Sequence, residues 1–407
     1  MSEKWITVVG IGEDGLDGLA PAARAVVEQA DVLVGGERHL SKVTIGDEVR
    51  IDWAQGFEAA FDAMEQHSDK RVVVLASGDP LNFGVGNNVI KRFGIEPIVI
   101  LPAPGAFSLA AARMGWSLPD VRCLTVHGRA LSAVNLHLIE GQRLLILSRD
   151  AATPGELAEL LTDRGFGPSA ISVLANMGGE DTRQDGTAGA WDHAPGEDLN
   201  TIAVECRAGD GADRRAWSRV PGLPDNAFEH DGQITKREVR AATLARLAPL
   251  PGRVLWDIGA GAGSIAIEWL RCEPSAKAVA IEHTPARAAR IARNAETLGV
   301  PGLKIIEGKA PDVFSDIDLA PDVVFVGGGV SVPGLLEACW QALSHGGRLV
   351  ANGVTVEAER ALLEFQNEFG GDIVRLAISR AQLMGKAGNL SVIKPMMAVT
   401  QLITDKE

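Results

Sequence analysis

The chain has 407 residues, 46% hydrophobic and 23% charged, with a formal net charge of −14. That length exceeds one ordinary core and predicts two domains of a soluble globular protein. The acidic balance and the absence of tyrosine disfavour a broad nucleic-acid surface, and no apolar run has membrane length.

The opening MSEKWITVVG enters a strand at once, with no leader in view. Four scattered cysteines (Cys123, Cys206, Cys272, Cys339) form no CxxC pair. No metal or disulfide is expected, and a reducing cytoplasm fits. Apolar runs predict strands near residues 5–9, 32–34, 72–76 and 98–101, then 144–147, 171–174 and 201–204. Helical patterns such as 22–30, 58–66 and 155–163 lie between them, the mark of an α/β protein. Residues 207–233 are rich in Gly, Pro, Asp and Arg and lack periodicity. They read as a linker between a domain at 1–206 and another at 234–407. The second domain opens on a helix at TKREVRAATLARL, where Thr235 is the expected N-cap and Glu238 completes a capping box. Strands follow near 253–258, 278–281, 304–306, 322–326, 348–352, 373–379 and 391–399. Helices separate all but the last pair, which predicts a doubly wound, mostly parallel, Rossmann-like sheet closed by an antiparallel hairpin.

The stretch DIGAGAGS, residues 257–264, joins the first of these strands to a helix. Its glycines, Gly259, Gly261 and Gly263, let backbone approach a ligand closely. The spacing is one residue short of the dinucleotide fingerprint, and no Gly-Lys-Ser/Thr ending makes it a P-loop. Asp257 precedes the first glycine, and Glu282 ends the next strand, placed to accept hydrogen bonds from ribose hydroxyls. Taken alone, the glycines are a tight strand–helix turn and Glu282 a solvated acid. Taken together, they suit a ligand with a ribose, no phosphate and an ammonium group, which is S-adenosylmethionine. This half resembles the class I adenosylmethionine-dependent methyltransferases. The resemblance extends through EGKAPDV (307–313), where Ala310 would flank adenine, and PDVVFVGGG (321–329), whose tip is Gly327. His283, beside Glu282, would cover adenosine or carry a proton. The tip lacks the Asn/Asp-Pro-Pro-Tyr that grips an exocyclic amine of a base.

In the first half, loops at successive strand ends build a crevice: VVGIGEDGLDGL (8–19), VGGERHL (34–40), ASGDPLNFGVG (76–86) and LPAPGAFSLAAARMG (101–115). Their order resembles the tetrapyrrole methylases, the class III adenosylmethionine-dependent methyltransferases, with two α/β subdomains. Gly78-Asp79-Pro80 stands for the family's Gly-Asp-Pro signature, Pro104-Gly105-Ala106-Phe107-Ser108, one residue longer, for its Pro-Gly-x-Ser helix start, and Thr153-Pro154 matches its Thr-Pro element. Phe83 lies in the same loop as the signature. The resemblance implies donor contacts at Gly78, Asp79, Pro80, Phe83, Ser108 and Thr153. The first loop departs from the family's Gly-Pro-Gly with Gly12-Glu13-Asp14-Gly15, which leaves its substrate-facing groups open.

The fusion of the two classes resembles the decarboxylating precorrin methyltransferases of cobalamin biosynthesis. That implies two S-adenosylmethionine sites per chain, methylation at carbons 5 and 15, and loss of carbon dioxide from the ring C acetate of precorrin-6B to give precorrin-8x. The electron-rich methine carbons attack the sulfonium methyl directly, so positioning and water exclusion are the enzyme's main task. A polycarboxylate substrate calls for cations around its pocket. Candidates are Lys236, Arg237, Arg240, Arg380 and Lys386, with Thr235 beside them, and Arg38, His39, Arg113 and Arg129 in the first half. No residue stands out as general acid. Second-half relatives imply a homotetramer. Two other readings stay open: an RNA or protein methyltransferase, which would need a basic face or an amine-gripping tip, and a non-catalytic adenosylmethionine- or tetrapyrrole-binding protein, which would keep the glycine loops without turnover.

Overall fold

The computed structural model describes residues 4–44, 46, 48–383 and 391–406. The chain forms two compact units, one of residues 1–131 and 139–212 and the other of 132–138 and 213–407. The short stretch Ser132–Leu138 thus belongs with the second unit. There Asn135 Nδ2 donates to the Glu296 carbonyl at 2.9 Å, and Gly299 packs so closely on Leu136 that a Cβ would lie 2.2 Å from its amide nitrogen.

The first unit carries two five-stranded sheets. β1 (Ile6–Ile11), β2 (Val32–Gly35), β3 (Val49–Asp52), β4 (Val72–Ser77) and β5 (Ile98–Leu101) pair in parallel in the order β3-β2-β4-β1-β5. β6 (Val121–Thr125), β7 (Arg143–Leu147), β8 (Ala170–Ala175), β9 (Thr182–Thr187) and β10 (Asn200–Glu205) follow as β6-β7-β10-β8-β9, with only β6–β7 parallel. The central strands β1, β4, β8 and β10 are almost wholly buried, hence their unbroken apolar runs. In this unit the strands absent from the sequence expectation, β3, β6 and β9, are all sheet edges. An edge strand has water on one flank, so its residues include charges such as those of VRID and TRQDGT.

The second unit adds β11 (Val254–Ile258), β12 (Lys277–Glu282), β13 (Lys304–Glu307), β14 (Val323–Val326), β15 (Arg348–Gly353), β16 (Asp372–Leu376), β17 (Ser379–Leu383), β18 (Ser391–Pro395) and β19 (Val399–Asp405). Seven of them form one sheet, β13-β12-β11-β14-β15-β19-β16, parallel up to β15. This is the doubly wound fold the pattern predicts. Alternate β11 residues feed opposite layers: Leu255 packs on one face, Val254, Trp256 and Ile258 on the other. The expected closing hairpin is different in detail. β19 inserts antiparallel between β15 and β16, while β17 and β18 pair as a separate ribbon. Burial explains the order: Val399–Leu402 is buried, whereas β16 is half exposed. Pro395, without an N–H, ends β18.

The stretch expected as a linker is packed from residue 213 onward. Leu223 and Phe228 are buried in the core on the face of the helix Arg237–Leu247. The expected capping box does not form. The helix begins at Arg237, and Asp225 Oδ1 accepts the Arg237 N–H at 2.9 Å, while Glu238 turns to Arg380. The cap is supplied across twelve residues of chain. No helix among the described residues is long and apolar enough to cross a membrane.

Candidate functional site

The order of strands in the second unit's parallel sheet reverses between β11 and β14, the point at which ligands bind outside strand ends in such sheets. The loop after β11 is built for glycine. Gly259, Gly261 and Gly263 have φ of 69°, 61° and 75°, the left-handed region that costs other residues energy. A Cβ on Gly259 would lie 3.0 Å from Gly328 Cα, so the loops after β11 and β14 touch backbone to backbone; one on Gly263 would meet Ile291 at 2.7 Å. Gly327 faces the same constraint against Phe325. Ala310, after β13, packs against the core layer beneath.

Two acids underlie this cradle. Glu282 ends β12 almost fully buried, its Oε2 accepting the Gly261 N–H at 2.9 Å and its Oε1 the Thr284 N–H at 3.0 Å. Asp257 is 1% exposed, and its Oδ2 accepts the Ala266 N–H at 3.1 Å. Burial pushes its carboxyl up to about 7; the Ala266 N–H opposes this and the Glu282 charge adds to it. Asp257 therefore lies beneath the loop, tied to the start of the helix Ser264–Cys272. His283, beside Glu282, has a largely exposed side chain. Glycines that admit backbone, two buried acids and no lysine in the loop fit a cationic, phosphate-free ligand such as S-adenosylmethionine.

The cations expected around this site separate into two groups. Arg240 is fully buried. Its Nε donates to Glu268 at 2.6 Å, its Nη1 to Asp225 at 3.3 Å and to the Thr235 carbonyl, and its Nη2 to the Leu223 carbonyl, with the Phe228 ring 4.8 Å away. All three guanidinium nitrogens are bonded inside the core, so Arg240 holds the strap 213–235 to the domain and does not reach a surface ligand. Arg380 is partly exposed and pairs with Glu238 and Asp225. Lys236 is half-buried and Arg237 exposed at the same helix start. Lys386 lies outside the described residues. Asp225, which sequence reasoning passed over, meets Arg237, Arg240 and Arg380 together; its only signal was an acid amid the buried spacing of Leu223 and Phe228.

In the first unit a cleft of about 770 Å³ opens between the two sheets. Its floor is another backbone approach. A Cβ on Gly10 would lie 1.8 Å from the Gly78 carbonyl oxygen, and one on Gly78 2.6 Å from Gly105 Cα. Gly78, Asp79 and Phe83 line the cleft. Asp79 Oδ1 accepts the Leu81 N–H at 2.9 Å, and the Pro80 carbonyl accepts the Gly86 N–H at 3.0 Å, folding the loop back on itself. Ser108 is exposed on its helix, outside the cleft lining. Thr153 is buried, its Oγ1 donating to Asp150 Oδ1 at 2.9 Å; it secures the start of the helix Thr153–Asp163 and lies off the lining.

Arg38 lines the cleft, bound to Glu13 and, at 2.9 Å, to Ser77 Oγ. Lys42 meets Glu13 at 2.5 Å, so the departing first loop is pinned by two cations. His39 lies 2.9 Å from Ser77 Oγ, and burial, aided by Arg38, pushes its imidazole down to about 4. Arg113 pairs with Asp181, away from the cleft. Ser77, Asn82, Thr125, Ser148 and Asn200 also line the cleft. Isolated polar residues at strand ends carry no sequence signal; only folding brings them together. Among the described residues no group of three or more His, Cys, Asp or Glu is arranged for a metal.

Residues 6–189 match the tetrapyrrole (corrin/porphyrin) methylases, and residues 226–406 match the precorrin methyltransferase domain. The precorrin-6Y C(5,15)-methyltransferase [decarboxylating] of Sinorhizobium sp. is 46% identical over 400 residues, 98% of this chain and 95% of that protein. A cobalt-precorrin-7 C(5)-methyltransferase of Salmonella typhimurium is 34% identical over 44% of this chain and 88% of its own length. A probable cobalt-precorrin-6B C(15)-methyltransferase (decarboxylating) of Saccharolobus solfataricus is 34% identical over 45% of this chain and 93% of its own.

Proposed function

Because this chain belongs to the precorrin-6Y C(5,15)-methyltransferases (decarboxylating), we propose that each of its two units holds one S-adenosylmethionine and acts on one precorrin macrocycle. It is an S-adenosylmethionine-dependent C-methyltransferase of cobalamin biosynthesis that methylates carbons 5 and 15 and removes the ring C acetate carboxyl as carbon dioxide. The observation that carries the two-site reading is the pair of glycine-cradled strand ends, one in each unit, where a Cβ would strike backbone. Half-length relatives named separately for carbon 5 and for carbon 15 with decarboxylation support a division of labour. We assign carbon 5 to the first unit and the other two steps to the second.

In the second unit Gly259, Gly261, Gly263 and Gly327 admit the donor, Glu282 takes its ribose hydroxyls, Ala310 flanks adenine, and Asp257 braces the loop from below through the Ala266 N–H. In the first, Gly78, Asp79 and Phe83 form the corresponding wall, and buried Pro80 folds their loop behind it. When bound, the donor supplies an electrophilic methyl on a cationic sulfur. The chain's residues orient the macrocycle carbon in line with it and exclude water. Lys236 and Arg237, at the start of the helix Arg237–Leu247, hold substrate carboxylates at the second site. We further propose a cytoplasmic homo-oligomer.

Calorimetric titration of S-adenosylmethionine into the full-length chain tests this. Two equivalents per chain are expected, and Glu282→Ala removes one. A single equivalent bound by the unaltered chain sinks the two-site reading.

A further inference from the structure

The basic residues near the first unit's cleft are not equivalent. Arg38 is neutralised by Glu13 and Arg113 by Asp181, and burial keeps His39 uncharged near neutral pH. Arg129 lines the cleft, is exposed, and has no carboxylate partner among the described residues. Its guanidinium lies 5.4 Å from the centroid of the Phe83 ring. Phe83 is itself unusual. Its φ of 58° is a conformation that bulky residues rarely adopt, yet the residue is 48% exposed and lines the cleft. Buried Phe107 braces that ring edge-on, with centroids 6.1 Å apart. Backbone strain held at a cleft wall for the sake of an exposed ring points to a ligand that covers it.

The geometry points to Arg129 and Phe83 as the pair that reads the tetrapyrrole in the first unit: the ring is a flat platform for the macrocycle, and the guanidinium pairs with one of its peripheral carboxylates. This rests on the precorrin reading above, and it gives Phe83 a role beyond donor contact. A guanidinium held over a ring by its charge does not spend its N–H donors on that contact. Those donors form the planar fork that matches a carboxylate with two parallel hydrogen bonds. An ammonium in the same place lacks that fork.

The donor also carries a carboxylate, so the test separates the two sources. In full-length Arg129→Gln and Arg129→Lys chains, precorrin affinity is measured by quenching of tryptophan fluorescence without donor. Donor affinity is measured by calorimetry, and the KM for carbon-5 methylation by steady state. Arg129→Gln is expected to weaken precorrin binding and raise KM by about ten- to a hundredfold, the loss of one charge-assisted contact. Arg129→Lys recovers part of the loss, and donor affinity stays within about twofold. Phe83→Leu, which keeps the apolar volume and removes the flat face, weakens precorrin binding in the same direction. Loss of donor affinity with precorrin binding intact assigns the carboxylate to the donor and overturns the proposal. So does an unchanged Gln variant. Unaltered chain that binds precorrin without methylating carbon 5 sinks the functional reading alone, and unaltered chain that does not bind it sinks both.

Discussion

Replacing Arg240 with Met distinguishes a structural cation from a substrate contact. The guanidinium is fully buried and bonded to Glu268 and Asp225 and to the Thr235 and Leu223 carbonyls. Removing one partner of a buried ion pair costs about 3–5 kcal/mol, because the other charge is left without compensation. Glu268 keeps the N–H groups of Gly222 and Leu223, at 2.5 and 3.0 Å, and Met fills much of the lost volume. The loss should thus fall near the lower end, about 3 kcal/mol. For a unit of this size each kcal/mol moves the melting temperature by roughly 2–4 °C, which predicts a fall of roughly 6–12 °C. Differential scanning calorimetry at one scan rate reads the shift, and steady-state kinetics below the transition reads the substrate KM, expected to hold within about twofold. The paired control is Lys236→Ala with Arg237→Ala. These side chains are at the surface, so stability should change by less than about 1 kcal/mol while the substrate KM rises. A melting shift under about 2 °C for Arg240→Met, together with a large rise in KM, would refute the placement of Arg240 in the core.

Two further outcomes follow from the second unit's glycine loop. Gly263→Ala forces an L-residue to φ 75° and puts a Cβ 2.7 Å from Ile291; a destabilisation of about 2–4 kcal/mol with weakened donor binding is expected, and a neutral melt would show that the loop relaxes freely. Asp257 holds its proton up to about pH 7 in the folded chain, against an ordinary carboxyl value of 3.8. Between those pH values the folded state binds more protons than the unfolded one, so stability falls as pH rises through the window and the loss is complete above it. The magnitude is at most about 4 kcal/mol. Asp257→Asn should flatten that slope in urea titrations run from pH 4 to 8. Parallel profiles for the two proteins would remove Asp257 as its source.

Much of this protein is legible without its fold. The central strands are buried on both faces and so must be continuous apolar runs, which is why β1, β4, β11 and β12 are readable as strings. The glycines at 78, 259, 261 and 263 are equally legible, because positive φ and backbone contact exclude side chains locally. What depends on partners distant in the chain is not. The edge strands β3, β6 and β9 owe their conformation to a neighbour on one flank, and β19 owes its central place to burial against β15 and β16. Asp225 and Arg240 look, in sequence, like a linker acid and a surface cation. Tertiary structure makes the first a helix cap and the second a core ion pair, since burial leaves a charge no alternative to a partner. Thr153 likewise lies off the cleft and bonds Asp150 ahead of its helix, and Arg129 becomes notable only because folding supplies acids to Arg38 and Arg113 and an aromatic face to it. Sequence by itself determined where backbone must turn sharply and pass close to other backbone, a local steric requirement; only the tertiary structure decided which charges remain without a partner, because neutralisation depends on residues brought from elsewhere.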